Sequence, residues 1–137
     1  MSAEFVERFM RFWAAPDPAA LDELLHADAH LVQPLMPEAR SRAAYAQSTR
    51  RLLAVMPDLH GRTHRWGPTE DGVLIEHTLA GTLGGKALSW DLTDRITLRD
   101  GRVVERIAYF DPLPLVLGVV KRPRAWLPLL RASFWRR

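Results

Sequence analysis

The sequence predicts an α+β fold in which helices cover one face of an antiparallel sheet. Three observations carry this expectation. Up to Pro57 apolar residues recur at helical spacing, after it they alternate with a period of two, and the alternating runs are separated by turns at Asp71-Gly72, Gly84-Gly85 and Asp100-Gly101. At 137 residues, with 47% hydrophobic and 26% charged side chains, the chain is one domain's worth and buries about two thirds of its unfolded surface in a single core. It contains no repeat, low-complexity stretch or linker.

The first helix is expected over Glu4 to Ala14, with Phe5, Val6, Phe9, Met10, Phe12 and Trp13 at helical spacing and Ser2 as its cap. Pro16-Asp17-Pro18 breaks it. Asp17 then caps, and Pro18 opens, a short second helix through Leu25 that stacks Leu21, Leu24 and Leu25. Ala29 to Leu35 reads as a strand. Ser41 caps a third helix running to about Val55, where Pro57 stops it. Four strands follow, over Leu59 to Trp66, Val73 to Leu83, Lys86 to Leu98 and Arg102 to Phe110. Pro112 to Arg137 is rich in proline and apolar residues and is expected to form one or two short helices.

One residue on these strands is out of keeping with its neighbours. Trp90, Leu92, Asp94, Ile96 and Leu98 share a face because strand side chains alternate, so Asp94 lies in an apolar stripe. A carboxylate there costs several kcal/mol, in order of magnitude, unless it is paired, hydrogen-bonded or protonated. A three-residue loop at Arg99-Asp100-Gly101 would set Asp94 opposite Arg106, Leu92 opposite Ala108 and Trp90 opposite Phe110, with Arg95 meeting Glu105 on the other face. A two-residue turn would put Arg95 against Arg106 and Ile96 against Glu105, the poorer arrangement. The Gly84-Gly85 turn sets Leu79 opposite Trp90 and His77 opposite Leu92, so His77 becomes a diagonal neighbour of Asp94. Asp94 is then either a buried ion-pair member or a pocket acid, and His77 either a hydrogen-bonded core histidine or its proton-exchanging partner. Asp111 is expected to cap the strand end or turn.

The order helix, helix, strand, helix, meander, ending in D-x-x-x-x-x-D-G-R-V-V-x-x-x-x-Y-F-D from Asp94 to Asp111, resembles the SnoaL-like polyketide cyclases of the nuclear transport factor two superfamily. The resemblance covers residues 1 to about 115, leaving 116 to 137 as a basic, apolar extension. It implies a cystatin-like or ketosteroid-isomerase-like fold: a cone-shaped barrel of curved antiparallel sheet closed by about three helices around an apolar pocket, usually in a homodimer. The isomerases' oxyanion-binding aspartate falls on Asp94. Their general-base aspartate falls on Gln33, before Pro34, and their tyrosine on Phe9, and neither replacement can do that chemistry. The related epoxide hydrolases' last aspartate falls on Ala108, and Glu76-His77-Thr78 has no counterpart of their Arg-x-Asp pair. Both mechanisms are therefore disfavoured. The resemblance instead implies a small hydrophobic, carbonyl-containing ligand, with cyclisation or isomerisation by Asp94 and His77 as acid/base groups. The expected pocket wall is Phe9, Trp13, Gln33, Tyr45, Met56, Leu79, Trp90, Leu92, Arg106, Ala108 and Phe110. A non-catalytic ligand-binding or dimerising module is the alternative.

Composition excludes other chemistry. With no cysteine, disulfides and thiolate nucleophiles are absent. The pairs His26 with His30 and His60 with His64 lack helical i, i+4 geometry and a third ligand, so no metal or other cofactor is expected. The first 120 residues hold 13 basic and 16 acidic side chains, and the net charge of +3 arises from residues 121–137, which carry six basic groups and no acid. That is no nucleic-acid-binding face. The start is not a secretory signal and no run reaches the roughly 18 residues of a spanning helix, so a cytoplasmic protein is expected. Trp126, Leu127, Leu130 and Phe134 of the basic tail are expected to pack on the domain or a dimer partner rather than on an anionic membrane, because Pro123 and Pro128 limit helix length.

Overall fold

The first helix, α1, spans Ser2–Ala14 and buries Phe5, Val6, Phe9, Phe12 and Trp13, the stripe its spacing dictates. Two details differ from expectation. Ser2 is its first residue rather than its cap, and Met10 is 46% exposed. The structure, a computed structural model, describes residues 2–132. Asp17 accepts a hydrogen bond from the Ala19 amide at the head of a tight turn, Pro18–Ala20, that leads into α2, Leu21–Leu24. Strand β1 begins at once, Leu25–Val32, four residues earlier than expected. It also stops short of Leu35, whose φ of 69° is left-handed and cannot continue a strand. Ser41 caps α3, Arg42–Val55, by accepting from the Ala44 amide.

Four strands follow: β2 His60–Pro68, β3 Gly72–Leu83, β4 Lys86–Arg99 and β5 Arg102–Tyr109. They form one sheet with β1 in the order β1-β5-β4-β3-β2. The sheet is open, since its edge strands β1 and β2 do not pair, and it is mixed, since β1 runs parallel to β5. The expected antiparallel sheet is corrected at β1 alone, since the other three strand pairings are antiparallel. Hairpin turns force antiparallel neighbours, whereas β1 reaches β5 from across the chain, so no local turn sets its direction. Helix α1 packs on β2 and α3 on β1.

The β3–β4 register is as expected, with Leu79 facing Trp90 and His77 facing Leu92. The β4–β5 register is not. Asp100 and Gly101, with φ of 54° and 75°, make a two-residue turn of the mirror-image type that matches strand twist. Arg99 then pairs with Arg102 and Leu98 with Val103, after which the register shifts so that Ile96 faces Arg106 and Asp94 faces Ala108. Val104 is the extra residue of a bulge. A bulge reverses which face the rest of the strand presents, so Arg106 turns inward, which an unbulged two-residue turn would have prevented. Asp94 and Arg106 share the buried face as diagonal rather than direct neighbours. Outside, Arg95 still reaches Glu105, at 3.6 Å.

Asp111 caps α4, Pro112–Val120, by accepting from the Leu113 amide, and α5 runs Pro123–Ala132. Helix α4 thus crosses residue 115, where the sequence suggests that the domain gives way to an extension. Pro128 sits inside α5 rather than ending it, which leaves the Arg124 carbonyl without an intrahelical donor. Ala125 is buried and Leu129 packs on the core, whereas Trp126, Leu127 and Leu130 are 49%, 54% and 67% exposed. These three do not pack on the domain, because they lie on the other side of the helix from Ala125 and Leu129. Phe134 lies outside the described residues.

Candidate functional site

Three strands and one helix each send one polar side chain into the core. His77 from β3 and Asp94 from β4 are fully buried, and Arg106 from β5 and Tyr45 from α3 are each 5% exposed. A single oxygen, Asp94 Oδ2, receives His77 Nε2 at 2.7 Å and lies 2.9 Å from Arg106 Nε in an ion pair. Arg106 Nη1 donates to Tyr45 Oη at 3.0 Å. Aromatic rings enclose the group: Phe9 meets the His77 ring edge-on at 5.3 Å, and the Arg106 guanidinium lies 5.5 Å from the centre of Trp13.

The electrostatics follow from this geometry. Burial by itself pushes the Asp94 carboxyl up, but the adjacent Arg106 charge and the His77 hydrogen bond outweigh it and hold the carboxyl below the usual carboxylate range. Burial would likewise lower Arg106, and Asp94 and Tyr45 raise it instead. Burial lifts the Tyr45 phenol above its ordinary value against the pull of Arg106. Asp94 is therefore an ionised acceptor, and its protonated form, which the isomerase resemblance would require, is opposed by Arg106. An acceptor at Oδ2 puts the proton on His77 Nε2. Among the described residues, Asp94 Oδ1 and His77 Nδ1 are buried without a hydrogen-bond partner, as is Arg106 Nε apart from its ion pair with Asp94.

Beside this cluster is a cavity of about 300 Å³, mostly apolar in lining. Of the expected wall, Trp13, Gln33, Met56, Leu79, Trp90, Leu92, Arg106 and Phe110 line it. Phe9, Tyr45 and Ala108 do not, and neither do Asp94 and His77. The reason is packing. Arg106 and Trp13, which do reach the cavity, lie against Asp94, Tyr45 and His77 and cover them. Among the described residues, Arg106 is the one charged side chain on the cavity wall.

Part of the wall was not anticipated. Ser48, Thr49 and Leu52 of α3 and Leu115, Val119 and Leu129 of the last two helices contribute to it. The i, i+4 spacing of Leu115 with Val119 is the sequence signal that could have found the α4 wall. Gln33, at the general-base position of the isomerases, instead directs its amide to Met36 Sδ at 3.0 Å. The paired histidines are engaged locally: His60 with the Asp58 carbonyl and His64 with Thr78 Oγ1. Among the described residues, no three His, Asp or Glu side chains stand together as a metal site.

Comparison with known proteins bears on this geometry. The model of the SnoaL-like domain matches residues 6–106. No curated protein matches the sequence. Among solved structures, a hypothetical protein with a ketosteroid isomerase-like fold from Catenulispora acidiphila, in complex with trimethylamine, superposes with a TM-score of 0.78 at 20% identity, covering 92% of this chain and 98% of its own. An LEH-like epoxide hydrolase from M. tuberculosis gives 0.73 at 22% identity over 99% and 94%. A proposed SnoaL-like polyketide cyclase from Jannaschia sp. CCS1 gives 0.72 at 18% identity over 90% and 94%. At these identities the likeness establishes the fold.

Proposed function

Because the chain belongs to the SnoaL-like domain family, we propose that its cavity takes a small hydrophobic molecule carrying a carbonyl or carboxylate oxygen, held through that oxygen by Arg106. The observation that carries this reading is the placement of one guanidinium on an otherwise mostly apolar wall. Apolar lining with a few fixed polar groups is the usual constitution of a small-molecule site, and about 300 Å³ is at the small end of the range. Asp94 and Tyr45 fix the guanidinium plane, so its charge is oriented before a ligand arrives.

A second reading adds catalysis, and the unpaired Asp94 Oδ1 and His77 Nδ1 favour it. Each unsatisfied buried atom costs about 1–3 kcal/mol, and such atoms call for an explanation. In this reading Arg106 stabilises the oxygen of an enolate during cyclisation or isomerisation, while the Asp94–His77 pair accepts or returns a proton once Arg106 shifts onto the ligand. Binding alone needs no such movement and is the simpler function.

The test compares acetylnaphthalene with naphthalene, followed by quenching of tryptophan fluorescence. A hydrogen bond to a charged group contributes about 1.5–3 kcal/mol, so the ketone should bind at least about tenfold tighter. Leu88→Trp, which fills the cavity without touching the charged cluster, should abolish binding of both. Equal affinity for ketone and hydrocarbon would remove Arg106 as the anchor, and unchanged binding in the filled variant would remove the cavity.

A further inference from the structure

The outer side of the last two helices is apolar and exposed. On α4, Leu113, Val116, Leu117 and Val120 recur at i, i+3, i+4 and i+7, one stripe of the helix, and all are between 39% and 58% exposed. On α5, Trp126, Leu127 and Leu130 form a second exposed group. The hairpin is firmly held from behind: Ala125 is buried, Leu129 packs on the core, and the Arg122 guanidinium donates to the Gly118 and Ala87 carbonyls, both at 2.6 Å. The apolar stripe is therefore a fixed surface and not a frayed end.

Charge says what covers it. From residue 112 onward the sequence has no acidic side chain, and it carries Lys121, Arg122, Arg124, Arg131, Arg136 and Arg137. Lys121 and Arg124 are exposed at the junction of the two helices. A second copy of this chain meeting the surface face to face would set these like charges against one another with no acid to offset them. An anionic lipid surface offers the complement: acyl chains for the stripe and headgroup phosphates for the rim. Trp126 suits the boundary, since its indole N–H is satisfied by the Val119 carbonyl at 2.9 Å while the ring stays exposed. No helix among the described residues is long and apolar enough to cross a membrane, so the contact is one of lying on the surface.

We propose that the α4–α5 hairpin docks this protein on anionic membrane surfaces. Val116 and Val120 are both exposed and part of the cavity wall, so the docked orientation sets the cavity mouth against the lipid. The docking stands whatever the cavity holds.

Sedimentation of the full chain with vesicles tests it. The chain should bind phosphatidylcholine vesicles containing phosphatidylserine, bind pure phosphatidylcholine vesicles more weakly, and lose the difference in high salt. Lys121→Gln and Arg124→Gln should each lower the anionic partition about fivefold, and Leu117→Asp should abolish it. All three positions are exposed, so far-ultraviolet circular dichroism should match the parent. Failure to bind anionic vesicles would overturn the proposal, as would binding unaltered by all three substitutions. It would be overturned equally if the substitutions converted a dimer to a monomer in equilibrium sedimentation, because the surface would then be an interface between copies.

Discussion

Asp94 is a carboxylate whose ionised form is stabilised more in the folded than in the unfolded chain. Its folded pKa is depressed by Arg106 and His77 against the upward push of burial, so its contribution to stability is present above the unfolded value of about 3.9 and is lost as pH falls through the lower folded value. Stability should accordingly decline as pH falls into and below the ordinary carboxylate range. Asp94→Asn should show a flatter decline and should be less stable at neutral pH by about 3–5 kcal/mol, because it leaves the Arg106 charge buried and unpaired; urea denaturation at several pH values measures both. Tyr45→Phe removes only the Arg106 Nη1 hydrogen bond and should cost about 1–3 kcal/mol without changing the acid slope. Alternation with a period of two was enough to bring His77, Asp94 and Arg106 to one face. It could not reveal that Trp13 and Arg106 would stand between the other two and the cavity, since side-chain depth depends on the helix packed above.

At the scale of elements, the bulge at Val104 decides the chemistry of β5. A register with residue numbers summing to 200 and one summing to 202 differ by two, so the faces come out alike although every direct partner changes. That is why the inward direction of Arg106 was legible while its neighbour Ile96 was not. The bulge itself had no legible signal, because Val103-Val104 offers no glycine and its cause is the fit of two faces. Deleting Val104 should move Arg106, Ala108 and Phe110 outward and bring Glu105, Ile107 and Tyr109 in, and we expect it to cost more stability than any single substitution at the cluster, measured by denaturant midpoint. Glycines at the sheet's rim provide a second check. A Cβ on Gly72 would fall 1.8 Å from the Ile96 carbonyl oxygen, whereas one on Gly67 would meet nothing within 4 Å. Gly72→Ala should therefore displace the start of β3 from β4, and Gly67→Ala should alter stability by no more than about 0.5–1 kcal/mol. Strand β1 was the least legible element, for its parallel partner lies some eighty residues away.

For the molecule as a whole, the last two helices belong to the cavity as much as to the tail. Reading them as an extension hid this, because their apolar residues serve the cavity, the outer surface or, at Val116 and Val120, both, and the composition of the segment does not distinguish them. Within α5 the division falls between adjacent residues: Leu129 packs on the core and lines the cavity, while Leu130 is 67% exposed. Replacing each by serine separates the two surfaces of one helix. Leu129→Ser should lower stability by about 1–2 kcal/mol, as expected for a partly buried leucine, and weaken acetylnaphthalene binding while leaving the vesicle partition nearly intact. Leu130→Ser should leave stability and ketone binding at the parent values and reduce the vesicle partition alone. If both substitutions moved both measurements together, α5 would act as one unit, and the separation of an inner wall from an outer docking face would be wrong.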